Sequence, residues 1–247
     1  MFVRRIGVET RPEPVWPFTL PAVRHVTDHG LDFDHAVTFL VGENGSGKST
    51  IVEAIADVCK IGAYGGKAGT RYASVGAKTP LGEALRADFT VAGLRLVGGS
   101  RHQRRGFFLR AETLFNLAQS LAGSPSGGRG FWEDDLERQS HGEGFFTVFD
   151  AMFREPGLYL MDEPEAALSF TSCLRLVALM HRLGRSGAQI VCATHSPVLA
   201  STPGADIVEL GDHGCRRVAW SELDLVDHWR RYLAGPEVYL RHFLEPP

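Results

Sequence analysis

Gly42-Glu43-Asn44-Gly45-Ser46-Gly47-Lys48-Ser49-Thr50 gathers three glycines, a lysine and three hydroxyls into nine residues. The run satisfies G-x-x-x-x-G-K-[ST], a phosphate-binding loop. Glycines let the backbone curl so that successive N–H groups point inward at phosphate oxygens. A helix beginning near Gly47 adds the positive end of its dipole. Lys48 reaches the β- and γ-phosphates as a point charge, and Ser49 offers a hydroxyl to Mg²⁺. The chain has only four lysines against 22 arginines, so a lysine at this place is itself informative. The chemistry expected is binding of a nucleoside triphosphate.

A second group lies more than a hundred residues on. Asp162 and Glu163 end the apolar run Leu158-Tyr159-Leu160-Met161. A strand running into acids puts carboxylates at the C-terminal edge of a sheet, where open α/β sheets bind ligands. Asp162 suits the Mg²⁺-coordinating position that completes the loop, and Glu163 suits a general base for the attacking water. His195 follows a further apolar run, in Ala193-Thr194-His195-Ser196-Pro197. A histidine at the end of an adjacent strand can reach the γ-phosphate and sense its loss.

These residues need a frame. Val37-Thr38-Phe39-Leu40-Val41 reads as a buried strand, and Ile51 to Ala56 carries apolar residues at helical spacing that extend to about Lys60. Residues 2–8 read as another strand, joined to the first by a segment punctuated by Pro12, Pro14, Pro17 and Pro21. Residues 61–80 read as a loop. Residues 84–98 alternate apolar and polar, which predicts an antiparallel hairpin turning at Gly93. Residues 111–121 read as helical, the Gly/Ser stretch 123–130 as a surface loop, and residues after Gly142 as helical to about Arg154. A long helix is expected over 165–183, ending before Gly184, then a strand over 188–193. Uncharged strands alternating with helices predict a mostly parallel sheet covered on both faces. Ser221 with Asp224 predicts a capping box for a helix through Leu233. The fold class expected is α/β.

Composition sets bounds. At 247 residues and 44% hydrophobic content, the chain can bury a substantial core. A net charge of −3 advertises no overall affinity for nucleic acid. Cys59, Cys173, Cys192 and Cys215 are widely spaced, which fits apolar thiols in a reduced, cytoplasmic setting. No apolar stretch is long enough to span a membrane, and Arg4-Arg5 precede no apolar run of a secretory signal.

In this order and spacing the loop, the apolar-Asp-Glu-Pro run and Thr-His-Ser resemble the ATP-binding-cassette ATPases. That superfamily holds transporter ATPases and soluble SMC-type relatives. Asp162-Glu163-Pro164-Glu165-Ala166-Ala167-Leu168-Ser169 is similar to the family's Walker B and D-loop run, and Thr194-His195 to its switch histidine. The resemblance covers residues 37 to 200. It implies a signature loop about 20 residues before Walker B, where the chain has Gln139-Ser140-His141-Gly142-Glu143. This departs from the transporters' Leu-Ser-Gly-Gly-Gln and resembles small stand-alone bacterial ATPases of the AAA kind. Ser140 falls on the hydroxyl donor and Gly142 on the close-approach glycine.

The resemblance also implies a Q-loop glutamine on Mg²⁺ and water. Gln103 is one location, and Arg110-Ala111-Glu112 is a rival. Trp16 and Phe18 compete as adenine-stacking residues, with core packing as the other role. Arg101, Arg104, Arg105 and Arg110 form a small basic cluster, read as a solvated loop or a contact for a nucleic-acid backbone or acidic partner.

The expectation is then one nucleotide-binding domain over 1–247, with a helical lobe over roughly 104–155. Two chains would sandwich two ATP molecules head to tail with Mg²⁺. Each site would take Lys48, Ser49, Asp162, Glu163 and His195 from one chain and Ser140 and Gly142 from the other. Three uses follow: a soluble ATPase acting on a macromolecular partner, the nucleotide-binding subunit of a transporter, or a slow, nucleotide-gated binding module. The short Lys48-to-Ser140 distance leaves no room for a long coiled coil.

Overall fold

The computed structural model describes residues 1–61, 66–67, 78–98, 106–110, 153 and 156–244. Strands β3 (Val37–Gly42), β7 (Leu158–Asp162) and β8 (Gln189–Thr194) are buried almost throughout. They lie side by side and parallel in the order β3-β8-β7. Apolar runs with little charge suit strands covered on both faces. β9 (Asp206–Gly211) extends the sheet beyond β3, and β6 (Gly106–Arg110) extends it beyond β7, both parallel. The edges turn antiparallel, with β10 (Gly214–Arg217) on β9 and β4 (Gly66–Lys67) on β6. The result is a seven-stranded mixed sheet. A separate three-stranded antiparallel sheet has the order β2-β1-β5, from β1 (Val3–Val8), β2 (Leu31–Asp32) and β5 (Leu85–Phe89).

Alternation along the central strands divides the interior into two cores. Leu40, Leu160, Val191 and Ala193 face one core with helices α1 (Pro21–His29) and α2 (Lys48–Val58). Phe39, Val41, Tyr159, Met161, Ile190 and Cys192 face the other, against α5 (Phe170–Arg185). Between them in the chain come α3 (Pro80–Ala84) and α4 (Val91–Gly98). After them come α6 (Pro197–Ala200), α7 (Asp224–Ala234) and α8 (Pro236–Leu244). Parallel pairing brings the C-terminal ends of β9, β3, β8, β7 and β6 to one edge. This is an α/β fold of the kind P-loop NTPases use. The four cysteines are free, and burial pushes the Cys59 thiol up to about 12 and that of Cys215 to about 11. They serve as apolar side chains.

Several expectations are corrected. The hairpin over 84–98 is instead β5 followed by α4. Thr90 accepts from Gly93 N at 3.1 Å and caps the helix, and the buried residues Gly93 and Leu96 recur at a helical spacing of three. Gly93 turns nothing. A Cβ there would meet the Phe2 carbonyl at 2.0 Å, so glycine lets the helix approach β1. The helix expected over 165–183 begins as a short 3-10 turn, Pro164–Ala167. Ser169 then caps α5, and Gly184 lies inside that helix. The Ser221–Asp224 box does not form. Ser221 sits in a 3-10 turn, and Asp224 N donates to Glu209 Oε1 at 2.8 Å. A buried carboxylate from β9 thus satisfies the start of α7, a partner that local sequence could not reveal. The proline-rich segment hides α1, whose first residue is Pro21. Residues 106–110 of the expected helical lobe form β6 in the main sheet. The segments 111–121 and 123–130, and most of 131–155, lie outside the described residues.

Candidate functional site

Gly42 ends β3, Thr194 ends β8 and Asp162 ends β7, and strand register sets them at the same edge. Val41 pairs with Thr194, and Asp162 pairs with Ala193. Glu43, Asn44, Gly45 and Ser46 form the loop that leaves β3, and Lys48, Ser49 and Thr50 open α2. Gly47 is the residue before that helix, with φ +99°, a left-handed backbone that costs an L side chain about 1 kcal/mol or more. This is why the glycine stands there.

Lys48 is buried, and its Nζ donates to Gly42 O at 2.9 Å and Glu43 O at 3.1 Å. Burial lowers its pKa, against the raising pull of Glu163 and Asp162. An incoming polyphosphate would reinforce its charged form. The Ser49 hydroxyl donates to Asp162 Oδ1 at 2.9 Å. Asp162 is buried, which pushes its carboxyl up, while the Ser49 bond and the Arg110 guanidinium pull it back. One hydroxyl and one carboxylate fit Mg²⁺, which keeps waters and substrate phosphates as its other ligands. Among the described residues no cluster of three or more histidines, cysteines or carboxylates forms a cage for a metal.

Glu163 lies just past β7 with φ +49°, ψ +51°, held by its N–H on Ala193 O at 2.9 Å. Its side chain stays partly exposed to solvent. His195 Nε2 lies 3.2 Å from Glu163 Oε1. That approach lacks hydrogen-bond alignment, and Nε2 is buried and unpartnered among the described residues. The Ser46 hydroxyl is in the same condition.

Two further residues join the site. Glu165 Oε1 accepts from Thr194 Oγ1 and from His195 N, both at 2.6 Å, tying the turn after β7 to the turn after β8. Burial raises its pKa, and the bond from Thr194 opposes this. Glu165 stands three residues after Asp162, inside the run that resembles the family, but nothing in its spacing marks this job. Arg110, at the end of β6, reaches Glu53 on α2 and Asp162. It was legible only as part of a basic cluster and a rival Q-loop location.

Gln103, Ser140 and Gly142 lie outside the described residues. Trp16 is exposed, and Phe18 packs against the first core. A cavity of about 450 Å³ opens between the first half of the glycine loop and the β9–β10 turn. Its rim carries Glu43, Glu209, Asp212 and Asp224, an acidic lining that suits no phosphate chain.

A family model described as "AAA domain" matches residues 20–92, which hold the glycine loop. A second, described as "AAA domain, putative AbiEii toxin, Type IV TA system", matches residues 137–201, which hold Asp162, Glu163 and His195. No curated protein matches the chain. One similar solved structure is that of an "ATP binding subunit of ABC transporter". It is 22% identical, with a TM-score of 0.44 over 86% of this chain and 90% of that one. At that score the likeness carries no functional argument. The two family matches, with the loop and sheet they cover, liken this chain to P-loop, AAA-type ATPase domains.

Proposed function

We propose that this edge binds Mg²⁺-ATP and hydrolyses its terminal phosphoanhydride, in a dimer that closes head to tail around two nucleotides. The observation that carries the reading is convergence: Lys48, Ser49, Asp162, Glu163 and His195 come from three adjacent parallel strand ends. Lys48 exchanges its bonds to two loop carbonyls for phosphate oxygens. Ser49 and Asp162 hold the metal, which when bound supplies positive charge to the phosphate oxygens. Glu163 takes a proton from the attacking water at a carboxylate oxygen. The buried Nε2 of His195 is available to a phosphate oxygen, and Glu165 fixes the backbone that carries it. Atoms balance as ATP and water giving ADP, phosphate and a proton.

Ser140 and Gly142 would complete each site from the partner chain. The test is solution mass of Glu163→Gln with and without Mg²⁺-ATP. A shift from monomer to dimer on adding ATP supports the closing dimer. An unchanged mass, despite demonstrated binding, contradicts it.

The use of this engine is a further step. The second family description names a putative toxin, which fits a soluble ATPase acting on another macromolecule. The nucleotide-binding subunit of a transporter would run on the same engine. No helix among the described residues is long and apolar enough to cross a membrane. Copurification with a membrane protein selects that use, and its failure alongside capture of a soluble partner selects the other. Turnover that stays very slow whatever partner is added selects the gated binding module.

A further inference from the structure

Both oxygens of Asp162 are already engaged by protein. Oδ1 accepts the Ser49 hydroxyl at 2.9 Å, and Oδ2 lies 3.5 Å from Arg110 Nη2. The same Nη2 donates to Glu53 Oε1. Ser49 and Glu53 are four residues apart on α2, so they share one face of that helix. Arg110 ends β6 directly opposite Asp162 in the parallel register. The guanidinium also lies over the Phe108 ring, 5.7 Å from its centroid. The side chains of Arg110 and Glu53 are each 22% exposed and that of Asp162 is 8% exposed, so solvent screens the group only weakly. Burial raises the pKa of Glu53, and Arg110 opposes this.

A cation that binds Asp162 must therefore be accommodated beside a fixed positive charge. We propose that Arg110 is a positioning residue that orients Asp162 in the metal-free site and competes with Mg²⁺ for it, with Glu53 as the anion that draws Arg110 aside. The inference rests on the Mg²⁺ reading above. It assigns to Arg110 and Glu53 the setting of the Mg²⁺ concentration at which nucleotide is held, which neither family description mentions.

The experiment titrates Mg²⁺ against a fixed concentration of a fluorescent ADP analogue, read by anisotropy. Wild type, Arg110→Met and Glu53→Gln are compared, with melting curves to verify folding. Arg110→Met should lower the half-saturating Mg²⁺ concentration about tenfold, because a like charge is removed from beside the metal. Glu53→Gln should raise it several-fold, because the guanidinium is left more fully to Asp162. If Arg110→Met does not fold, Arg110→Lys keeps the charge but loses the planar guanidinium, and should shift the midpoint downward by a smaller factor. An unmoved or raised midpoint in the folded arginine variant overturns the inference while leaving the Mg²⁺ reading intact. Wild-type binding that ignores Mg²⁺ altogether overturns both.

Discussion

Strand β8 has two ends that treat buried polar groups in opposite ways. At its start, the Gln189 side chain is fully buried and makes three hydrogen bonds. Its Oε1 accepts from Phe2 N at 2.6 Å and Val3 N at 2.8 Å, and its Nε2 donates to Val3 O at 2.8 Å. These bonds fasten the start of β1 in the small sheet to the main one. At its finish, Thr194 and His195 meet Glu165, and His195 also approaches Glu163. There Glu165 Oε2 and His195 Nε2 are buried without hydrogen-bond partners among the described residues, as is Ser46 Oγ in the glycine loop. One further buried orphan, Thr38 Oγ1, lies near the opposite end of β3, and no contact explains it. An unsatisfied buried polar atom costs about 1–3 kcal/mol. A fold tolerates several in one place when a ligand completes them. The first end of β8 is built for stability, and on the proposed reading the second serves binding.

That contrast can be broken by variants that respond at the wrong end. The largest effect belongs to Lys48→Ala, which should weaken nucleotide binding at least ~100-fold by removing charge-assisted bonds to phosphate. Its folding stability should change by no more than about 1 kcal/mol, since two loop carbonyls can turn to water. Calorimetry with ATP and a denaturant titration measure both, and undiminished affinity would remove the loop from the site. Gln189→Leu should show the mirror image. Orphaning Phe2 N, Val3 N and Val3 O should cost about 2–4 kcal/mol of stability. Nucleotide affinity, measured where the variant is folded, should be unaltered.

Glu165 sharpens the boundary between the two ends. Glu165→Ala should lose about 1–3 kcal/mol and slow hydrolysis, because Thr194 Oγ1 and His195 N lose their acceptor. Glu165→Gln keeps an acceptor oxygen and should cost less. It should also flatten a pH slope. Burial holds the folded pKa of Glu165 above its unfolded value, so ionising it costs stability. That cost is present above the folded pKa and vanishes below the unfolded one, so stability from this group rises as pH falls through that window. Unfolding free energies across weakly acidic pH should show wild type gaining more than Glu165→Gln on acidification. Equal slopes would place the tension elsewhere.

The legible parts of the molecule are those in which local pattern and tertiary role agree. Buried β3, β7 and β8 announce themselves as uncharged runs, and the glycine loop, Asp162, Glu163 and His195 stand at their ends. What escaped depends on distant partners. Glu209 serves α7 from 15 residues away, and Gln189 serves β1 from 186 residues away. Glu165 binds across two turns, and Arg110 meets Asp162 only because β6 pairs with β7. Alternation over 94–97 misled because four residues cannot separate a period of two from one of three or four. Thr90 and the close approach at Gly93 decide that segment.

On the proposed reading, Glu163 is the base at a site that binds nucleotide independently of it, and hydrolysis at this edge depends on that role. The most direct measurement is phosphate release by Glu163→Gln in a single turnover, beside its affinity for Mg²⁺-ATP. Hydrolysis should fall at least ~100-fold, the usual worth of a general base, with affinity held within about threefold. Hydrolysis at the wild-type rate would contradict the assignment, and with it the reading of this edge as the place where the phosphoanhydride is broken.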